Sequence, residues 1–170
     1  MKTITTTIIS IAFLSYAFTC KGQTTGTVFP VEKFAVLEGK LADGRPAIGS
    51  FNRGYKDFDK KASYTWCLTI NIGLDLKHVT KNGLPLQSES DICNKFEDEL
   101  LSHIRQLATA HYIGHLYNDS FLDIYVYLDE PEKVYQFLKK EVDKKGRARD
   151  FAFEIKQDPN WAIVNSFLSK

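Results

Sequence analysis

The strongest constraint on the fold of this chain is a run of eleven residues, Tyr64–Leu74, whose character alternates strictly. Every even-numbered position in the run is large and apolar, and every odd-numbered position is small or polar. Successive side chains of a β-strand point to opposite faces of the sheet, so this period of two predicts a strand with one buried face. We therefore expect a central strand here, with the rest of the fold organised around it.

The first 22 residues predict a secretory signal peptide. Lys2 supplies a basic start, and the uncharged apolar stretch 8–18 is too short to cross a bilayer, which takes about 20 residues. Cleavage before Gln23 and lipidation of Cys20 both fit the segment, although residues 17–19 lack the leucine usual before a lipidated cysteine. A buried N-terminal helix is a third interpretation, which the threonine and β-branched content disfavours.

Export would change both the charge of the protein and its surroundings. The whole chain has 22 basic and 21 acidic residues, and loss of Lys2 and Lys21 with the signal peptide leaves 20 basic against 21 acidic. A chain so close to neutrality has no bulk attraction for nucleic acid or anionic lipid. We expect an exported protein, periplasmic or extracellular, with no nucleic-acid partner and no membrane span, and with a lipid anchor if Cys20 is modified.

The rest of the chain predicts a linker over residues 23–33 and a single α+β domain over residues 34–170. Turn residues and alternation predict a β-hairpin before the central strand, and amphipathic spacing predicts two helices after it. In chain order, the predicted elements are strands at 34–41 and 47–55, a strand at 64–76, a helix at 89–108, strands at 111–116 and 121–128, a helix that begins near Pro131, a strand at 151–155 and a short terminal helix.

From residue 64 onward, the order strand, helix, strand, strand, helix, strand is that of a ferredoxin-like unit. The predicted fold is therefore α+β, a ferredoxin-like antiparallel sheet with two helices on one face, preceded by an N-terminal β-hairpin and followed by a short C-terminal helix. The strands at 64–76 and 121–128 would form its central pair. The hairpin either extends one edge of the sheet or covers its open face, and the sequence leaves both arrangements possible.

The two faces of this predicted sheet differ in character. The face expected to pack on the helices carries the large apolar residues Trp66, Leu68, Ile70, Ile124, Val126 and Leu128. Cys67 lies on the other face, whereas Cys93 belongs to the helix on the first. Bridged Cα atoms must lie within about 7 Å, less than the ~10 Å between packed layers. We therefore expect both thiols to be free.

No catalytic, cofactor or metal site is predicted. His111 and His115 would point to the same side of one strand but about 13 Å apart, too far to share one ion. The serines follow no Gly-x-Ser-x-Gly pattern, and no phosphate-binding glycine loop occurs. Nothing in the sequence places a base beside Cys67.

The open face of the predicted sheet is the best candidate for binding. Tyr125 and Tyr127 would lie beside Thr65 and Thr69, giving an aromatic surface rich in hydroxyl groups. Such a surface can stack on a small molecule or anchor a protein. The other interpretation is that the hairpin or the terminal helix packs on this face.

Five short segments stand in order along the chain, over about residues 40–168. They are Asp43-Gly44-Arg45-Pro46, Gly83-Leu84-Pro85, Tyr112-Ile113-Gly114-His115, Ile124-Tyr125-Val126-Tyr127 and Asp158-Pro159-Asn160-Trp161. Their order and spacing resemble a bacterial family of unknown function, DUF695. That family often has a glycine turn where this chain has Asn118-Asp119-Ser120, a departure that concerns only the turn type.

The resemblance implies no activity, because the family has none assigned. The family is similar in strand order to protein inhibitors of a bacterial ribonuclease, which implies by analogy a binding or regulatory role. Two functions follow. The first is an exported, non-catalytic module that binds an unknown protein or small molecule. The alternative is a small cell-envelope hydrolase whose catalytic residues the sequence does not identify.

Overall fold

The structure, a computed structural model, describes residues 28–169. The predicted signal peptide, with Cys20 and the start of the linker, lies outside the described residues. Within them the chain forms six strands and three α-helices, so the α+β class is confirmed. The strands are β1 (Phe34–Lys40), β2 (Pro46–Asn52), β3 (Trp66–Gly73), β4 (Ala110–Asn118), β5 (Phe121–Leu128) and β6 (Phe151–Gln157). The helices are α1 (Gln87–Leu107), α2 (Glu132–Val142) and α3 (Asn165–Ser169).

All six strands form one antiparallel sheet in the order β1-β2-β4-β5-β3-β6. The predicted pairing of β3 with β5 is confirmed, because Leu68 lies opposite Val126, but the middle pair of the six-stranded sheet is β4 and β5. The predicted hairpin β1–β2 is also confirmed, and it extends the sheet through β2, where Gly49 lies opposite Leu116 of β4. The ferredoxin-like topology is not confirmed, because the hairpin continues the sheet beyond β4 and the six-strand order differs from that four-stranded unit.

The central strand β3 is shorter than the predicted 64–76. Asp75 helps to end it, because its carboxylate accepts a hydrogen bond from the Lys77 amide at 3.0 Å and starts a short 3-10 turn. Thr65 immediately precedes the strand, and its carbonyl accepts a hydrogen bond from the Asp158 amide at 2.7 Å. The Asp75 carboxylate thus helps to end β3 on one side, whereas the Thr65 contact continues the pairing of β3 with β6.

Helices α1 and α2 pack on one face of the sheet, over the apolar side chains of β3 and β5. Leu68 and Ile124, predicted to face the helices, have no exposed surface. Along α1, Phe96, Leu100 and Ile104 are buried as the helical spacing predicts, whereas Ile92 is 38% exposed. The buried stripe of the helix begins at Glu89 and continues through Cys93 at helical spacing, so Ile92 lies beside it.

The two cysteines of the domain are free, as predicted. Cys93 belongs to the hydrophobic cluster between the helices and the sheet, and Cys67 belongs to the cluster on the opposite face. The sheet itself separates the two sulfur atoms, which is the reason that the sequence suggested.

A β-bulge in β4 changes the predicted geometry of the histidines. The pairing register between β4 and β5 shifts between Tyr112 and Gly114. His111 consequently packs in the aromatic cluster on one face, whereas His115 contacts Glu97 of α1 on the other. The expectation that both histidines point to the same side was wrong, because the bulge inserts one residue between them.

Gly114 allows this bulge because no side chain fits at its position. Its φ of 147° is unfavourable for residues with a side chain, and a Cβ atom would lie 2.1 Å from the Ser50 carbonyl oxygen and 2.7 Å from Phe51 Cα. These obstacles belong to the backbone of β2, so they cannot move without separating the two strands.

We predict that Gly114→Ala lowers the free energy of unfolding by about 2 kcal/mol or more, because a backbone clash adds to backbone strain. Gly39→Ala is the matched control, since a Cβ atom at Gly39 in β1 would meet nothing within 4 Å. Urea unfolding of both variants checks the prediction. An equal cost at the two glycines would contradict it.

Candidate functional site

The aromatic face predicted from Tyr125 and Tyr127 is partly covered. Tyr127 has no exposed surface. Its ring stacks on Trp161, with centroids 3.9 Å apart and planes 13° apart, and its hydroxyl donates to Asp158 at 2.6 Å. The Trp161 indole in turn donates from Nε1 to the Tyr64 carbonyl at 2.8 Å. Tyr127 therefore cannot contact a ligand, and at this end of the face the packing interpretation applies.

The segment that covers Tyr127 is the Asp158 turn, which we define as residues Asp158–Trp161. The Asp158 carboxylate accepts hydrogen bonds from the amides of Ala162 and Ile163, each at 2.9 Å. Burial opposes ionisation of this carboxyl, but the hydrogen bonds from the phenol and the two amides outweigh it and lower the Asp158 pKa. Trp161 has a left-handed φ of 54°, which directs its indole back onto the sheet.

The other predicted binding residues separate into two places. Thr65 precedes β3 and supports the Asp158 turn through its backbone carbonyl. Thr69 and Tyr125 lie opposite each other on β3 and β5 and are half-buried. The ring of Phe167 in α3 is 5.5 Å from the Tyr125 ring, so α3 ends beside this pair. The structure thus brings Thr69 and Tyr125 together and assigns Thr65 and Tyr127 to the covered part.

The uncovered part of the face forms a shallow depression of about 300 Å³. We call it the acidic depression. It is lined by Thr69, Asn71, Asp123, Tyr125, Ala152, Phe153 and Glu154. The Asp123 carboxylate accepts hydrogen bonds from the side-chain amides of Asn71 at 2.6 Å and Asn118 at 2.7 Å. Both donors are uncharged, so the negative charge of Asp123 is held in place without being neutralised.

The strand β6 forms a free edge of the sheet, because within residues 28–169 it pairs only with β3. The Asp150 carbonyl accepts from the Gly73 amide at 3.0 Å, and the Asp158 amide donates to the Thr65 carbonyl at 2.7 Å. Bonding alternates along an antiparallel strand, so the even-numbered residues of β6 face β3. The outward backbone N–H and C=O groups are those of Phe151, Phe153, Ile155 and Gln157.

A second groove, of about 570 Å³, follows β6 on the side of α2. We call it the helix-side groove. One side of the groove is lined by Tyr135, Lys139 and Val142 of α2 and by Asp143, which follows the helix. The other side is lined by Ala152, Phe153, Glu154 and Ile155 of β6. The rings of Tyr135 and Phe153 are 5.7 Å apart, and the Lys139 ammonium lies 6.0 Å from the Tyr135 ring centre. Residues 152–154 line both the groove and the depression, so the free edge lies between two concave surfaces.

The thiols are poorly suited to catalysis. Burial raises the pKa of Cys67 to about 11 and that of Cys93 to about 12. Both stay protonated at neutral pH, and the thiol is a much weaker nucleophile than the thiolate. Among residues 28–169 no group of three or more histidine, cysteine, aspartate or glutamate side chains could hold a metal ion.

Two histidines lie beside polar partners, His115 half-buried and His111 fully buried. His115 Nδ1 lies 2.7 Å from Oε2 of the buried Glu97, with the Tyr112 hydroxyl 3.2 Å away. His111 has no exposed surface, and its Nδ1 lies 3.2 Å from the Tyr55 hydroxyl. Burial lowers the pKa of His111 to about 4, so this imidazole is neutral at physiological pH.

Comparison with protein families identifies a family to which the chain is related. The model of a family of unknown function, DUF695, matches residues 40–169. No curated protein and no solved structure matches the chain. No helix in the described part of the chain is long and apolar enough to cross a membrane.

The free edge of β6 was not predicted as a site. The alternation in Phe151–Ile155 correctly predicted a strand, but whether a strand is central or at an edge depends on the order of the whole sheet. The exposed Glu154 and Lys156 were the available signal, because charged residues are typical of edge strands.

We predict that Tyr127→Phe lowers the free energy of unfolding by about 1–2 kcal/mol, because it removes a buried hydrogen bond and leaves the Asp158 carboxylate with its amide donors only. Tyr135→Phe is the control, since that ring is 40% exposed on α2. Urea unfolding compares the two variants. A negligible cost for Tyr127→Phe would show that the hydrogen bond to Asp158 does not hold the turn.

We predict that acidification from pH 7 to pH 5 destabilises the protein through His111 by about 2 kcal/mol. The unfolded chain takes up a proton near the ordinary pKa of 6.5 and the folded His111 only near 4, so the unfolded state binds more protons between these values. Urea unfolding at several pH values should show a smaller loss for His111→Gln than for the wild type. His78→Gln, at an exposed histidine, should retain the full loss, and an unchanged dependence in His111→Gln would contradict the prediction.

Proposed function

Since this chain belongs to the DUF695 family, whose function is unknown, we propose from its own geometry that it is an exported, non-catalytic binding module. The proposed site is the free edge of β6, which takes up an extended segment of a partner protein as a seventh strand. The observation that carries the proposal is the row of outward backbone groups on β6 between the helix-side groove and the acidic depression.

The outward groups of Phe153 and Ile155 supply the main-chain part of such binding. An added strand hydrogen-bonds to unpaired N–H and C=O groups, which gives affinity, while alternate side chains enter the surfaces on either side, which gives specificity. The strand β1 forms the other free edge of the sheet. The edge at β6 suits a partner better because α2 stands beside it and forms a wall for the added side chains.

Binding at this edge also agrees with the protonation of the two thiols and with the burial of Tyr127. The thiols of Cys67 and Cys93 are protonated and enclosed, and Tyr127 serves the Asp158 turn. Of the predicted face, the part left for a partner is the uncovered Tyr125 end, which adjoins this edge. Export is part of the proposal because the first 22 residues have the character of a signal peptide.

The proposal extends to the fold. We take β3 to β6, with α1 and α2, as a ferredoxin-like unit to which the hairpin β1–β2 is added. The order β4-β5-β3-β6 within the larger sheet supports this relation.

A small cell-envelope hydrolase is the second candidate, and one contact favours it. Glu97 and His115 make a carboxylate–imidazole pair at 2.7 Å, which is the orienting half of a catalytic triad. Turnover of an ester or amide substrate by the wild type that is lost in His115→Gln would support a hydrolase. Turnover that persists in this variant would remove the pair from the reaction.

We predict that Ile155→Pro abolishes binding of seven-residue peptides captured from a synthetic peptide array, because proline removes an outward N–H of β6 and leaves the bonds to β3. Ile155→Ala is the matched control, since it shortens the same side chain and keeps the N–H. In the wild type, a bound peptide should slow amide hydrogen exchange at Phe153 and Ile155 at least tenfold.

The amides of Ala152 and Glu154 already bond to β3, so the same peptide should leave their exchange nearly unchanged. Undiminished binding to Ile155→Pro, or protection confined to residues outside β6, would contradict the edge as the site.

A further inference from the structure

A strand added to β6 would present its side chains to two surfaces of different chemistry. Side chains of a strand alternate between the faces of the sheet. Those on the helix side would enter the helix-side groove, and those on the other side would enter the acidic depression. The sequence pattern of the partner is therefore constrained at both sets of positions.

The helix-side groove favours apolar side chains. Its floor is made by the half-buried Phe153 and Ile155, and its wall by Tyr135 and Val142. Tyr135 is 40% exposed, so an apolar side chain seated against it would remove aromatic surface from water. The charged Lys139 and Asp143 lie on the same wall and carry opposite signs.

The acidic depression favours cations. Its lining includes two carboxylates, Asp123 and Glu154, and no basic side chain. Glu154 makes a salt bridge with Lys156 at 2.7 Å, but both side chains are about 60% exposed. A pair so exposed is weak, so a basic side chain from a partner can compete for Glu154.

We propose that the segment bound at β6 alternates apolar with basic side chains, the apolar ones in the helix-side groove and a lysine or arginine in the acidic depression. This inference rests on the proposed function, because it names the chemistry of the same partner strand. The competing occupant is the β6 strand of a second copy, which would also bring Phe153 and Ile155 into the groove but carries Ala152 and Glu154 on the other face.

The test uses three blocked seven-residue peptides that alternate valine with lysine, with threonine or with glutamate. Binding to the protein without its first 22 residues is measured by titration calorimetry and by amide exchange at Phe153 and Ile155. We expect the valine–lysine peptide to bind at least tenfold more tightly than the valine–glutamate peptide, with the threonine peptide between them. Added salt should reduce the difference, because exposed charges are screened.

Two variants test whether Glu154 causes the preference for the lysine peptide over the glutamate peptide. Glu154→Gln should reduce the preference for lysine over glutamate several-fold and leave the affinity for the threonine peptide nearly unchanged. Glu38→Gln is the matched control, because Glu38 is an exposed glutamate on β1, the other edge strand. It should leave both quantities unchanged, and a loss of preference in this control would place the site on β1 and overturn the inference.

The remaining outcomes separate the inference from the proposed function. If all three peptides protect Phe153 and Ile155 equally well, the edge binds strands but the charge pattern is wrong. If none of them protects these amides, the proposed function fails as well. If sedimentation shows a dimer that Ile155→Pro dissociates and that excludes the peptides, a second copy is the occupant and the alternating partner is overturned.

Discussion

The hydrogen bond from Tyr127 to Asp158, with Trp161 stacked on the same tyrosine ring, is the contact on which the second layer of the molecule depends. A sheet with helices on one face leaves its other face to water or to further chain. Here the Asp158 turn directs an indole onto the centre of that face and starts the segment that leads to α3. The same contact decides where a partner can bind, because it removes the middle of the face from solvent and leaves only the region next to β6.

The packing of helices on one face of the sheet could be predicted because it follows from sequence patterns within single strands and helices. The alternation in β3 identified the side chains that face the helices, and helical spacing located α1 and α2. Together these two patterns placed Cys67 and Cys93 on opposite sides of the sheet. The position of the hairpin could not be predicted, because pairing of β2 with β4 depends on a strand nearly seventy residues further along, with Gly49 opposite Leu116. The opposite orientations of His111 and His115 follow from one bulge, which a count of residues along β4 cannot detect.

The candidate site was predictable only in part, for a related reason. Thr69 and Tyr125 were identified correctly as neighbours, because adjacent strands and their faces follow from the alternation. Tyr127 has the same sequence character as Tyr125 and differs only in what covers it. That cover comes from Asp158 and Trp161, whose turn was recognised as a motif but whose direction is set by a left-handed residue and by long-range hydrogen bonds.

The pairing of β3 with both β5 and β6 has a consequence for the order in which the chain folds. Thr69 pairs with Tyr125 and Glu154, which lie 56 and 85 residues further along the chain, so both ladders of β3 close long loops. Long loops cost entropy before their contacts form, whereas the hairpins β1–β2 and β4–β5 close locally. We therefore expect the hairpins to form before β3 is enclosed between β5 and β6. Until then, the apolar side chains of β3 stay open to contact with a neighbouring chain, which makes aggregation during folding a risk.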